Sequence, residues 1–278
     1  RNGRKEPQVY QNGNEDFNNL VKRDDLDGVI IATPWEWHAA MALAAMKAGK
    51  HVGTEVPAAL SVKDCWSLVN ASEKNRKFCM IMENVCYRRD VMAVLNMVRK
   101  GLLGELIHLQ GGYQHDLREV KFNDGKQPYG GGVEFGKNGY SESKWRTNHS
   151  IERNGDLYPT HGVGPISSML NINRGNRFEY ITSTATQSRG LHNYILKHAG
   201  KNHPNTKVKF KLGDIVTSVI KCANGQTVVL SHDTNSPRPY SLNFRVQGTN
   251  GIWMRDNDSI YIEDVSPKPH NWEPFEGY

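Results

Sequence analysis

The chain has 278 residues, which is enough for two domains or one large one, and its hydrophobic and charged fractions of 37% and 23% are those of a globular protein. Its net charge of +6 comes from basic residues scattered among acids, a pattern typical of a solvated surface and not of a nucleic-acid groove. No apolar run approaches the ~20 residues of a membrane span. The four cysteines lack CxxC spacing, so no metal or redox motif is predicted.

The first third of the chain alternates strands and helices. Short apolar runs rich in β-branched residues are typical of buried parallel strands, and they occur at residues 27–32, 51–54 and 78–82. Residues 36–50 are strong helix formers. A second helix is predicted after Ser61, which forms a capping box with Asp64. This β-α-β-α-β order predicts a parallel sheet with right-handed crossovers.

After a predicted helix at residues 88–100, the pattern changes to short strands separated by turns. Strands are predicted at residues 107–113, 180–186, 215–222, 227–234, 242–247 and 259–263. Asn224-Gly225 is a strong hairpin signal between two of them, and a helix is predicted near residues 160–171. The predicted fold class is therefore α/β, with a parallel sheet first and a large, mostly antiparallel sheet afterwards.

Polar loops follow all three predicted parallel strands, and they contain Thr33, Glu55 and Glu83. In an open parallel sheet, ligands bind beyond the carboxyl ends of the strands. The nearby indoles of Trp35 and Trp37 favour a flat ligand with a polar rim, such as nicotinamide adenine dinucleotide (NAD). No G-x-G-x-x-G phosphate loop is present in the sequence, so we expect only the second half of a dinucleotide-binding domain.

These features resemble the glucose–fructose oxidoreductase/inositol dehydrogenase (Gfo/Idh/MocA) family over nearly the whole chain. Within it, the chain resembles glycoside hydrolase family 109, the NAD-dependent α-N-acetylgalactosaminidases. The matching segments are TPWEWH at 33–38, TEVPAA at 54–59, MEN at 82–84 and NGDLYPTHG at 154–162. The resemblance implies half of a Rossmann-type NAD-binding domain in residues 1–88, and a substrate-binding α+β domain with an open antiparallel sheet in residues 89–278.

Two positions distinguish this chain from the dehydrogenase branch of the family. That branch carries a lysine and an Asp-x-x-x-His motif at the reaction centre. Here Val56 replaces the lysine and Leu157 replaces the aspartate, while His161 remains. Both replacements argue against simple alcohol oxidation.

The resemblance also implies which residues contact the ligands. NAD would contact Trp35, Glu36, Trp37, His38, Glu55, Val56 and Asn84. The sugar site would be lined by Tyr113, Arg146, Tyr158, Pro159, Thr160, His161 and Tyr240. Taken singly, each has an ordinary structural alternative, such as sheet surface for Tyr113 or helix capping for His161.

The activity implied is redox-neutral hydrolysis of terminal α-linked N-acetylgalactosamine. In this route a hydride leaves C3 of the sugar for NAD, the C2 proton becomes acidic, the C1 substituent is eliminated, water adds and the hydride returns. The route needs acid–base groups in place of two flanking carboxylates. We predict His161 and Tyr158 as the catalytic pair, in an order that the sequence leaves open, with Tyr113 as a third candidate.

Two other functions compete with this one. The first is an NAD(P)-dependent sugar dehydrogenase, and the second is a non-catalytic sugar-binding relative, since a fold does not fix a function. The resemblance further implies a homo-oligomer formed through the antiparallel sheet, and export to the periplasm. Residues 1–5 form neither a signal peptide nor a first strand by their sequence, so localisation cannot be read from them.

Overall fold

A computed structural model describes residues 6–278, and the expectations for residues 1–5 lie outside this range. The chain divides into two compact units, Arg1–Met82 and Glu83–Tyr278. The sequence places this division later, at residue 88. Within residues 6–278, no helix combines the length and apolar composition that a membrane crossing requires.

The first unit is built on a parallel three-stranded sheet. Its strands are β1 (Gly28–Ile31), β2 (His51–Thr54) and β3 (Cys79–Ile81), and they lie in that order. Its helices are α1 (Phe17–Leu20), α2 (Trp35–Lys47) and α3 (Val62–Asn75). The predicted β-α-β-α-β order is confirmed.

The core of the first unit combines apolar residues of strands and helices. Ile31 and Val52 of the sheet pack in one cluster with Met46 of α2 and Leu68 of α3. Ser61 caps α3 as predicted, because its Oγ accepts the backbone N–H of Asp64 at 3.1 Å.

The second unit is built on an eight-stranded sheet in the order β11-β10-β9-β8-β4-β7-β6-β5. The strands are β4 (Leu106–Gln114), β5 (Phe178–Ala185), β6 (Ile215–Cys222), β7 (Thr227–Asp233), β8 (Arg245–Gly248), β9 (Gly251–Met254), β10 (Ser259–Ile262) and β11 (Glu273–Pro274). Neighbouring strands pair antiparallel except for β4 and β7, which are parallel. The prediction of a large, mostly antiparallel sheet is confirmed.

Strand β8 starts later than predicted and β9 is not indicated by the sequence pattern. Residue Asn243 has a φ of 51°, so the chain turns within the predicted strand 242–247 and regular pairing begins at Arg245. The Asn224-Gly225 hairpin joins β6 to β7, with Gly225 at a φ of 96°.

Five helices accompany this sheet: α4 (Arg89–Arg99), α5 (Arg118–Lys121), α6 (Arg146–Glu152), α7 (Thr160–Met169) and α8 (Gly190–Ala199). The sequence predicts α4 and α7 but not α8. The carboxylate of Asp214 accepts the backbone N–H groups of Arg189 and Gly190 at 2.7 and 3.0 Å and so caps α8. Because that cap comes from 24 residues away, no local signal marks this helix.

One face of the eight-stranded sheet holds the core. In β6, Val216 and Ile220 point inward and are 1% and 5% exposed, whereas Ile215 and Val219 point outward and are 39% and 40% exposed. Ile220 shares a cluster with apolar residues of α4 and α7. These two helices therefore cover the inner face, and α7 begins over β4.

Candidate active site

Five ring-bearing residues of the second unit form an aromatic cluster, which we define as Tyr113, His115, Tyr158, His161 and Tyr240. Tyr113 lies at its centre, with ring centroids 4.8 Å from Tyr158, 5.1 Å from His161, 5.7 Å from His115 and 6.4 Å from Tyr240. The structure thus brings together four residues of the predicted sugar site, which come from β4, α7 and two loops.

Glycines allow α7 to approach β4 closely enough to form this cluster. A Cβ on Gly162 would lie 2.6 Å from the backbone nitrogen of Gly112, which cannot yield as a flexible side chain can. Because glycine has no Cβ, α7 can pack close to β4 at this point. His161, in the first turn of α7, therefore lies near Tyr113, at the end of β4.

His161 is held by a buried carboxylate. Its Nδ1 lies 2.7 Å from Oε1 of Glu83, which also accepts the backbone N–H of Val85 at 2.9 Å. A carboxylate oxygen only accepts hydrogen bonds, so Nδ1 carries the hydrogen and Nε2 is the ring nitrogen left for another partner. Gly164 leaves room for this pair, since a Cβ there would lie 3.0 Å from Cγ of Glu83.

The charge of Glu83 is stabilised by this contact. Burial alone favours the uncharged acid, but the hydrogen bond and charge of His161 outweigh it and hold the pKa of Glu83 below its ordinary 4.5. The carboxylate therefore keeps its charge at neutral pH. An ionised carboxylate on Nδ1 orients an imidazole and stabilises its protonated form, which suits His161 to proton transfer at Nε2.

Tyr113 and His115 form a second polar pair in the cluster. The Tyr113 hydroxyl lies 3.1 Å from Nδ1 of His115. Burial raises the pKa of Tyr113 to about 12 and lowers the pKa of His115. Both groups are therefore neutral near pH 7, and the Tyr113 hydroxyl remains protonated.

The remaining predicted sugar-site residues lie beside the cluster. The Arg146 guanidinium is 5.9 Å from the ring centroid of Tyr158 and forms a 2.6 Å ion pair with Glu142. Pro159 is the N-cap residue of α7 and Thr160 is its first residue, directly before His161. Residues 158–161 therefore form one continuous segment at the start of α7.

Two buried basic side chains, His232 and Lys121, have strongly lowered pKa values. His232 of β7 is the register partner of Tyr113, and burial lowers its pKa to about 3. Lys121 is 2% exposed and donates from Nζ to Thr234 Oγ1 at 2.7 Å and Asn235 Oδ1 at 2.6 Å. Burial lowers the pKa of Lys121 to about 7. The described part of the chain holds no cluster of three or more side chains suited to a metal ion.

Sequence reasoning missed two members of this site, Glu83 and His115. Glu83 lies in the MEN segment, and its loop is predicted at the ligand edge, but its partner His161 is 78 residues away. His115 comes directly after β4 and carries no pattern of its own. The packing of α7 brings both groups to the cluster, against β4 on the side of His115 and against the turn after Glu83 on the other.

Four of the predicted NAD contacts lie in the first turn of α2. There, Trp37 lines a cavity of about 340 Å³ together with Tyr10, Phe17, Thr33, Pro34 and Met41 among others. His38 is buried, and its ring nitrogens lie 2.8 Å from Pro57 O and 2.7 Å from Thr33 O. Its nitrogens therefore link two loops of the first unit, so any contact with NAD would use the ring carbons or the backbone.

The other three predicted NAD contacts lie in two different loops. Glu55 continues from β2, with its N–H donated to Ile31 O at 2.8 Å, and the following Val56 is 4% exposed. Val56 is aliphatic and carries no proton-transferring group, and its correspondence to the dehydrogenase lysine stays a prediction. Asn84 lies exposed in a short 3-10 turn of the second unit. Contact of all seven with NAD stays a prediction.

Comparison with family models covers nearly the whole chain. Residues 87–278 match the C-terminal domain of glycosyl hydrolase 109, and residues 5–83 match the NAD-binding Rossmann fold of the Gfo/Idh/MocA oxidoreductase family. The chain belongs to glycosyl hydrolase family 109.

Similar proteins agree with this assignment. The chain is 60% identical over 272 residues to the alpha-N-acetylgalactosaminidase of Tannerella forsythia, which covers 96% of this chain. It is 58% identical to a glycosyl hydrolase family 109 protein of Parabacteroides distasonis over 96% of this chain. The chain spans 58% of the length of each of these relatives.

Solved structures show the same fold at low sequence identity. Levoglucosan dehydrogenase, in complex with NADH and levoglucosan, superposes with a TM-score of 0.66 at 20% identity, covering 92% of this chain and 62% of that one. An NAD-binding oxidoreductase from Klebsiella pneumoniae superposes with a TM-score of 0.69 at 18% identity, covering 93% and 63% of the two chains. The chain therefore shares its fold with these two oxidoreductases.

Proposed function

We propose that the full-length protein hydrolyses terminal α-linked N-acetylgalactosamine by a redox-neutral, NAD-dependent route. The observation that carries this proposal is the Glu83–His161 pair inside the aromatic cluster, because it supplies an oriented proton acceptor beside tyrosine hydroxyls. The relative of Tannerella forsythia, which is 60% identical, is named alpha-N-acetylgalactosaminidase.

We infer that NAD is the cofactor of the full-length protein. The residues of the first unit fit it, because the first turn of α2 offers aromatic surface and polar groups at the carboxyl end of β1, beside a cavity of about 340 Å³. When bound, NAD supplies reversible hydride removal at C3 of the sugar, which makes the C2 proton acidic.

His161 accepts at Nε2 a proton that the substrate releases, from the C3 hydroxyl during hydride removal or from C2 during elimination. The negative charge of Glu83 on Nδ1 stabilises the imidazolium that results and keeps the ring in one orientation. This arrangement makes His161 the base of the predicted pair. His161 lies in the first turn of α7 and its ring contacts Tyr158, so both side chains belong to the proposed sugar site.

Tyr158 is the proton-donating partner, and Tyr113 orients the sugar. The two rings are 4.8 Å apart, and each also contacts His161, so the three side chains can reach neighbouring groups of one sugar ring. The pKa of Tyr113, raised by burial to about 12, keeps its hydroxyl a hydrogen-bond donor over the working pH range. Tyr158 is left to protonate the leaving group.

Incubation of the full-length protein with a chromogenic α-N-acetylgalactosaminide in deuterated water tests this function. We expect aglycone release together with deuterium at C2 of the released sugar and no net NADH. Release without deuterium at C2 would contradict elimination and re-addition. Net NADH from the free sugar would instead support the dehydrogenase alternative.

A variant separates catalysis from simple sugar binding. His161→Ala should abolish release while the protein still binds NAD, measured by NADH fluorescence. Full turnover in this variant would remove His161 from the mechanism. Sugar binding by the wild-type protein without any release would support the non-catalytic alternative.

We also propose that full-length copies associate through the outer face of the eight-stranded sheet. That face carries apolar side chains exposed to solvent, including Tyr180 on β5 and Val219 on β6. A broad sheet face with exposed aromatic and β-branched side chains is the type of surface that a second copy covers.

A further inference from the structure

A second cavity adjoins the aromatic cluster in the second unit. It has a volume of about 340 Å³, at the low end of the roughly 300–1,000 Å³ of small-molecule sites. Its lining residues are Arg238, Pro239, Tyr240, Ser241, Leu242, Arg255 and Asp256. Because Tyr240 also contacts Tyr113 and His115, one ring is shared between this cavity and the cluster.

The charged groups around this cavity are paired within the protein. Asp90 bridges two arginines, with Oδ2 at 2.6 Å from Arg255 Nε and Oδ1 at 3.2 Å from Arg88 Nε. On the other side, Arg238 Nη1 lies 3.4 Å from Asp233 Oδ2.

Asp256 completes the polar lining, because its carboxylate accepts the Ser241 hydroxyl at 2.6 Å. The cavity lining and the residues paired with it contain three arginines and three aspartates, so together they carry no net charge. These are Arg88, Arg238, Arg255, Asp90, Asp233 and Asp256. A neutral surround of this kind favours an uncharged occupant over an anion.

The lining is suited to a ring rich in hydroxyl groups. Arg255 uses Nε for Asp90, and its terminal nitrogens can donate to hydroxyl oxygens, while the Asp256 carboxylate can accept from hydroxyl hydrogens. The Tyr240 ring is 46% exposed and offers an apolar face for the C–H groups of a sugar.

We propose that this cavity is the subsite for a neutral sugar on the leaving-group side of the scissile bond. The inference rests on the proposed function, which places the N-acetylgalactosamine at the aromatic cluster. A substituent on C1 of that sugar would then extend past Tyr240 toward Arg255 and Asp256.

Three substrates of the full-length protein test the subsite: methyl α-N-acetylgalactosaminide, a disaccharide of α-N-acetylgalactosamine linked to galactose, and α-N-acetylgalactosaminyl serine in a short peptide. The variants are Arg255→Ala and Asp256→Ala, and Arg99→Ala, an exposed arginine of α4 outside the cavity, is the control. We expect kcat/KM for the disaccharide relative to the methyl glycoside to fall about tenfold in both cavity variants, as for loss of a hydrogen bond to a charged group. The control should keep the wild-type ratio.

Two outcomes would overturn the subsite. In the first, kcat/KM for the disaccharide relative to the methyl glycoside stays at its wild-type value in both cavity variants. In the second, only kcat/KM for the serine peptide relative to the methyl glycoside falls, which would assign the cavity to a peptide. No release from any substrate by the wild-type protein would count against the proposed function alone. Calorimetry in the His161→Ala background then tests the subsite without turnover. Adding Arg255→Ala should weaken disaccharide binding about tenfold. Equal affinities with and without Arg255→Ala would contradict the proposal.

Discussion

Glu83 and His161 lie 78 residues apart in the chain, and their side chains meet through a 2.7 Å contact between Oε1 and Nδ1. Both are largely buried, with side chains 8% and 13% exposed, and a backbone N–H holds the same carboxylate oxygen. The pair therefore fixes which imidazole nitrogen faces the site. In the proposed mechanism, this histidine and its carboxylate carry the proton transfer, for which the aliphatic side chain of Val56 has no group.

Replacing Glu83 by glutamine should slow turnover roughly 100-fold, the range of a lost acid–base contribution. Glutamine keeps the size and can still accept from Nδ1, but it no longer supplies the negative charge that stabilises a protonated His161. The measurement is kcat for the chromogenic substrate, with NAD binding as the control for folding. A variant as fast as wild type would show that orientation alone is needed.

The same variant should differ from wild type in its stability against acid. The pKa of Glu83 is below its ordinary 4.5 in the folded protein, so its charge adds stability above pH 4.5 that is lost as the pH falls through the folded value. Urea unfolding at several pH values should therefore show wild type more stable than Glu83→Gln at pH 6, with the difference shrinking below pH 4.5. A difference that does not change with pH would contradict this origin.

Removing the hydroxyl of Tyr113 should weaken substrate binding more than it slows chemistry. Because burial raises the pKa of Tyr113 to about 12, its hydroxyl is a fixed donor and does not titrate in the working range. Tyr113→Phe should raise KM about tenfold, as for one lost hydrogen bond, and leave the shape of the pH–rate profile unchanged. Tyr158→Phe is the matched comparison, and we expect it to lower kcat instead.

Much of the fold is predictable from local patterns. The β-branched run at β1, the Ser61 cap of α3 and the Asn224-Gly225 turn each specify structure within a few residues. The helix α8 is not predictable in this way, because Asp214 caps it from the loop before β6, 24 residues away. The start of β8 is likewise set by the positive φ of Asn243, which no periodicity reveals.

The sequence predicts only those site residues that lie close together in the chain. Tyr158 and His161 lie in one matched segment, so their proximity follows from the helix start. The positions of Glu83 and His115 beside His161 depend on tertiary contacts of α7, where Gly164 approaches Glu83 and Gly162 approaches Gly112 of β4. Sequence reasoning therefore found the catalytic histidine of the proposal but not the carboxylate that orients it.

The buried Lys121 should make stability rise with pH. Its pKa is lowered by burial to about 7, from an ordinary 10.5, so between these values the unfolded chain binds more protons than the folded one. The free energy of unfolding should then increase from pH 7 toward 10 at up to ~1.4 kcal/mol per pH unit. Urea unfolding at pH 7, 8, 9 and 10 should show this slope in wild type and not in Lys121→Met, whereas Lys100→Met, at an exposed position, should retain it.

A charge on the outer sheet face should separate the copies of the full-length protein. Val219 lies in the middle of β6, is 40% exposed and pairs across the sheet with Thr182 and Val229, so a second copy on this face would bury it. Val219→Glu would place an unpaired carboxylate in that interface and should shift the mass from oligomer to monomer in light scattering. Met92→Glu is the matched control, because Met92 is 45% exposed on α4 and away from this face. An unchanged mass for Val219→Glu, or dissociation by Met92→Glu instead, would place the interface elsewhere.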